Sequence, residues 1–307
     1  MTRRSWIQLL AVAALWGGSY LFIKIALEDV APAVVVFTRT ALAALALLPI
    51  ALHMKAFAGL RDRLGAVALL TLLQVAAPFA LIATGEQAIS SSLAGILVAA
   101  APIFTVLLAM RLEPGDSVRG VGLAGVALGI AGVVVLLGVD TGGGTAALIG
   151  GGLVVLAGLG YALGSLHLRR NLREAKPIGL VTATMGLAAL VSLPFAVLTA
   201  PAQVPGAGAL GSLAALGILG SGIAFVLFFT LIAEVGASRA SLVGYIAPGF
   251  AVVYGVVLLG EPVSAATFVG LALILGGSWL AADGRVPRLR HNAPRASAHG
   301  RPLEVTR

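Results

Sequence analysis

Few side chains in this 307-residue chain could handle a polar ligand, and most of them fall inside long apolar stretches. Trp16 and Tyr20 are four residues apart, so on a helix they share one face. An aromatic wall of that kind suits stacking, cation contact or apolar packing with a ligand, or plain packing between helices. A step of 145 residues carries the pair onto Tyr161 and Ser165, again an aromatic and a polar group. Arg39 lies about eight residues into an apolar stretch, roughly 12 Å deep at 1.5 Å per residue. A guanidinium at that depth is costly. It either receives a ligand carboxylate or phosphate, or makes a structural ion pair with Glu86, or snorkels outward. Lys24, close to Glu28 and Asp29, reads as a snorkelling residue. Gln74, Ser91, Ser221 and Tyr245 can hydrogen-bond to a ligand or between helices. Pro102 and Pro248 each remove a helix bond near mid-stretch, as hinges or cavity-forming residues.

These groups need helices in a lipid setting to position them. Hydrophobic residues make up 59% of the chain and charged residues 10%. The mean hydropathy is +1.06. A soluble domain carries about 25% charged residues, so too little polar material is present to cover a water-facing surface. A spanning helix takes roughly 20 apolar residues. The expected fold is therefore an all-α polytopic membrane protein of ten spans: 6–27, 31–53, 64–84, 88–110, 118–138, 147–168, 178–200, 208–232, 238–259 and 263–282. With the N-terminus in the cytoplasm, 18 of the 20 Lys and Arg residues fall on cytoplasmic segments, the exceptions being Lys24 and Arg39. That bias sets orientation, so both termini are expected inside. The net charge of +8 is then a topology signal and gives no reason to expect nucleic acid. Arg3-Arg4 reads as an anchor of the first, retained span, and residues 283–307 as a disordered basic cytoplasmic tail.

The chain also repeats itself. Leu42-Ala43-Ala44-Leu45 returns as Leu187-Ala188-Ala189-Leu190, Pro32 as Pro177, Gly125 as Gly270 and Gly132 as Gly277. Five spans fall in each copy, 1–139 and 147–282, joined by the external Gly-rich linker 140–146. An odd number of spans inverts the second copy relative to the first. Inverted repeats place a ligand site between them near the bilayer midplane.

Leu15-Trp16-Gly17, Arg39, Pro102, Gly236-Ala237-Ser238-Arg239-Ala240-Ser241, Ala247-Pro248 and Leu259-Gly260-Glu261 carry a resemblance. The chain resembles the drug/metabolite transporter superfamily, in its ten-span form with two EamA-type domains, over about residues 6–282. The first copy departs from the pattern at Glu113-Pro114-Gly115-Asp116, where a Gly-Glu pair is usual. The resemblance implies a secondary transporter working by alternating access, and favours an exporter of amino acids or related amphipathic metabolites.

The remaining chemistry narrows the classes. All 12 acids fall at span ends, loops or tail, which counts against a central acidic proton relay; Glu86 is the one candidate for coupling. No cysteine is present and the histidines lack ligand spacing, so no metal site or cofactor is expected. Gly120 to Gly125 fits G-x-G-x-x-G, but no strand precedes it and it sits in an apolar span, so it is discarded as a nucleotide motif. The expected partners are a small-molecule substrate and the bilayer, with the chain as monomer or homodimer. A multidrug exporter is the nearer rival. A membrane-embedded lipid-modifying enzyme is the distant one, since it needs clustered His, Asp or Glu at one membrane face.

Overall fold

The computed structural model describes residues 1–112, 121–139 and 144–283. Among them the chain is helical, without strands, and forms ten apolar helices in two repeats of five. They are α1 (Arg3–Ala26), α2 (Pro32–His53), α3 (Arg61–Gly85), α4 in two pieces (Ser91–Val98 and Ala101–Leu112) and α5 (Val121–Val139). The second repeat holds α6 (Gly144–Asn171), α7 (Pro177–Leu198), α8 (Ala207–Val235), α9 (Val243–Leu259) and α10 (Ala265–Asp283). The linker expected at 140–146 is partly helix, because α6 already begins at Gly144. A one-turn helix, Ala237–Ala240, stands apart from α9, so the ninth span starts later than expected. Glu113, Asp116 and the tail beyond Asp283 lie outside the described residues.

Local sequence explains the ends. The Thr2 hydroxyl accepts from the Ser5 N–H and starts α1. Pro32 and Pro177, equivalent in the two copies, each occupy the first turn of their helix, where no N–H is needed. Gly260, in the left-handed region at φ 65°, ends α9. Outward faces carry large exposed apolar side chains such as Leu45, Leu190, Val197 and Val257, the surface a helix shows to lipid.

The helices pair across the repeats. α5 packs on α10 and α2 on α7; α1 packs on α9 as α4 does on α6, and α1 on α8 as α3 does on α6. Exchanging each helix for its counterpart turns every one of these pairings into another of them, which is the mark of a two-fold related duplication. The α5–α10 seam depends on glycine: a Cβ on Gly277 would run into the backbone of Gly129 and Gly125. Absent side chains let the backbones approach and gain dispersion contact that lipid could not supply.

Two helices depart from regularity at matching places. α3 contains a π-helical segment, Leu72–Ala76, and α8 contains one at Ala215–Ile223. Adding 145 to 72 gives 217, inside the second segment. In α3 the cause is local: Pro78 has no N–H for the Gln74 carbonyl, and a wide turn absorbs the missing bond. α4 is broken at Ala99–Ala100, where i→i−3 bonds replace the α pattern just before Pro102. The Ser278 hydroxyl of α10 donates to the Ala99 carbonyl at 3.3 Å and so satisfies the break from the other repeat. Pro248, by contrast, lies inside a continuous α9.

Candidate functional site

A cavity of about 430 Å³ lies between the repeats, within the range of small-molecule sites. The structure gathers into its lining Trp16, Tyr20, Arg39, Gln74, Tyr161, Ser165, Pro102 and Pro248. Ser91 and Tyr245 are not lining residues. Ser91 sits at the start of α4, fully buried, with its hydroxyl unpaired and its N–H held by Glu261.

Arg39 departs from both structural expectations for it. It does not snorkel, being 7% exposed, and no ion pair with Glu86 forms. Its Nε donates to the Ser221 hydroxyl at 2.8 Å, and the guanidinium lies over the Phe79 ring, 3.8 Å from the ring centre. Ser221 belongs to the π segment of α8, and Gln74 to that of α3. Wide turns thus aim one polar residue from each repeat at the same region, a common use of π bulges.

Trp16 is wrapped by α8. The rings of Phe228 and Phe225 stand 4.8 and 5.6 Å from it, centre to centre. Offset and edge-on contacts of this kind hold an aromatic wall rigid. Phe79, Phe225 and Phe228 also line the cavity and were missed from the sequence, where nothing separates them from other apolar residues of their spans. The tight approach of Gly164 to Gln74 and of Gly160 to Pro78 brings α6 against α3 here.

The two ends of the cavity differ. Toward the end of the bundle that carries the chain start, the lining includes Ser241 and Gly244, both exposed. Toward the linker end it finishes on buried Ile23 and Ile82. Beyond them lies a polar clasp between repeats. The Glu261 carboxylate accepts from the N–H groups of Ser91 and Ser92 at 2.7 and 3.0 Å and from the Ser92 hydroxyl. An acid on the first N–H groups of a helix satisfies orphan donors and favours the dipole. Asp29 treats the Gly206 N–H before α8 in the same way, at 2.6 Å. At the opposite end Glu234 accepts from the hydroxyls of Thr2 and Ser5. Beside the clasp a smaller cavity of about 250 Å³ is lined by Ser90, Ser92, Ser264 and Thr267.

The Lys24 ammonium reaches the turn after α3, where it donates to the carbonyls of Glu86 and Ile89 at 2.6 and 2.8 Å. Glu86 follows the last residue of α3 and is wholly buried, with both carboxyl oxygens unpaired. Burial pushes its carboxyl well above the usual carboxylate range, against the opposing pull of the Lys24 charge.

Known proteins are similar to this chain in sequence and in shape. The model of the EamA-like transporter family matches twice, over residues 4–138 and 148–282. The chain is 30% identical over 274 residues to the uncharacterized inner membrane transporter YedA of Escherichia coli K12, covering 87% of each chain. It is 25% identical over 281 residues to an uncharacterized transporter of Archaeoglobus fulgidus, covering 90% of this chain and 98% of that one. A crystal structure at 20% identity superposes with a TM-score of 0.65 over 92% of this chain and 97% of its own, a likeness of fold. Two matches of the same family model, one to each repeat, together take in nearly all the described residues, and the chain therefore belongs to the EamA-like transporter family.

Proposed function

We propose that the protein is a secondary transporter that exports a small amphipathic metabolite, an amino acid or a related compound, by alternating access. It would sit in the cytoplasmic membrane with both termini inside. The observation that carries this reading is the cavity between the repeats, walled by both copies and closed unequally at its two ends. Its aromatic wall suits the apolar part of such a ligand, and Arg39 with the nearby hydroxyls suits the polar part. The Glu261 clasp supports a closed outer end, while exposed Ser241 and Gly244 support access from the inside. Exchanging the roles of the two repeats would reverse which end is shut, the move that inverted repeats make available. The test is reconstitution into liposomes loaded with a metabolite mixture, with mass spectrometry of the external medium. Selective loss of one class of compound relative to protein-free liposomes is expected; no difference for any compound would end the proposal.

A further inference from the structure

We infer that the transported compound carries a net negative charge, being an amphipathic monocarboxylate whose carboxylate rests on Arg39 and whose apolar body lies against Trp16, Phe225 and Phe228. This rests on the transporter reading of the cavity and narrows its cargo, from amino acids and related compounds together, to the related carboxylates that lack the ammonium group.

Arg39 is the one charged residue among the side chains that line the cavity. Its Nε is committed to Ser221 and one face of its plane to Phe79. Neither terminal nitrogen has a hydrogen bond to a described residue, and no carboxylate among the described residues lies within ion-pair distance. A buried cation left without a counter-charge is expensive, and side chains inside a bundle normally meet that cost with a fixed partner. Here the free edge of the guanidinium presents two parallel N–H donors, the geometry that receives both oxygens of a carboxylate. Glu86 acts on this charge only from beyond ion-pair distance, so the guanidinium has room for one direct anionic partner; a monoanion matches it, whereas a phosphate dianion would leave a second charge unbalanced in an apolar cavity.

The lining contains no acid that could receive an ammonium group. A zwitterion would therefore satisfy its carboxylate and leave its ammonium to aromatic faces alone. A cation would meet only repulsion from Arg39, so the site selects against it by charge.

Three compounds with one body separate these cases: 3-phenylpropanoate, phenylalanine and phenethylamine, an anion, a zwitterion and a cation. The full chain in detergent micelles is titrated with each by calorimetry at neutral pH. The expected order is anion, then zwitterion, then cation, with at least tenfold between the first and the last. Arg39→Gln should erase the preference for the anion, and Arg39→Lys should keep the order at reduced affinity. The ranking on the unaltered chain needs no variant, so misfolding of Arg39→Gln leaves it decisive. Equal affinities, preference for phenethylamine, or no binding of any of the three overturns the inference. The transport reading is judged separately by the liposome mixture and stands if some other compound crosses.

Discussion

In the first repeat the second span brings Arg39 to the cavity. At the same place in the second repeat, 145 residues on, stands Thr184, which turns its hydroxyl back onto the Val181 carbonyl of its own helix. Trp16 likewise answers to Tyr161, and Gln74 to Leu219. The backbones pair as a two-fold object, yet the charge is present once. On the proposed transporter reading, duplication would supply the moving parts and divergence between the copies the ligand's orientation. A symmetric charged pair would offer a ligand two competing poses; a single guanidinium against a wall built from α1 and α8 would offer one.

That asymmetry can be broken most directly at its centre. Arg39→Gln should lower transport in liposomes roughly tenfold or more, since a charged hydrogen-bonding partner is worth about 1.5–3 kcal/mol. Thr184→Val should stay within about twofold, as expected for a change that touches no ligand. Equal damage at both positions would show that the copies share the binding role. Trp16→Ala comes next. Losing a ring held by two aromatic neighbours should weaken affinity by roughly tenfold, with membrane expression unchanged. Tyr161→Phe keeps the ring and should cost only a few-fold. Unchanged kinetics in Trp16→Ala would take the first repeat's wall out of the site.

A smaller effect belongs to the clasp. The chain has no cysteine, so Ser92→Cys gives a single reporter thiol. Glu261→Ala in that background removes the cap on α4, worth about 1 kcal/mol, and should speed thiol labelling several-fold. Labelling at the parent rate would mean the linker end is closed by packing alone. The smallest change is expected at Glu86. Burial raises its carboxyl in the folded chain above the ordinary value of 4.5 that it keeps when unfolded. Its contribution is therefore whole below pH 4.5 and fades as pH rises toward the raised folded value. Glu86→Gln should flatten this decline in melting temperature. A steeper decline in the variant would show the group to be ionised in place.

Much of the scaffold was legible because periodicity and composition act locally. Long apolar runs, the paired prolines at 32 and 177, and the recurring Leu-Ala-Ala-Leu give the spans and their duplication without reference to packing. The α4 break was partly visible, since Pro102 announces a lost bond, yet Pro248 does the same and leaves α9 whole. Only the fold shows the distant partner at the break, where the Ser278 hydroxyl reaches the freed Ala99 carbonyl. The candidate site was legible as a set of residues out of place in lipid, Arg39 above all, most of which line the cavity. Its partners were not, because Ser221 is 182 residues away in sequence and Phe79 and Phe228 look like any span residue. Glu261 read as a loop acid; only the fold sets it on the amides of Ser91 and Ser92.

Each third span keeps one residue more per turn than its length requires, at Leu72–Ala76 and again at Ala215–Ile223. Such slack can be handed along a helix without unfolding it, and each residue it passes swings by about 100°. Deleting one residue from 215–223 should use up the slack; a variant that folds but no longer transports would be its signature. Ser221 lies within that stretch, so a slip of the spare residue by one place would carry its hydroxyl away from the Arg39 Nε and open the bond that ties the two repeats there.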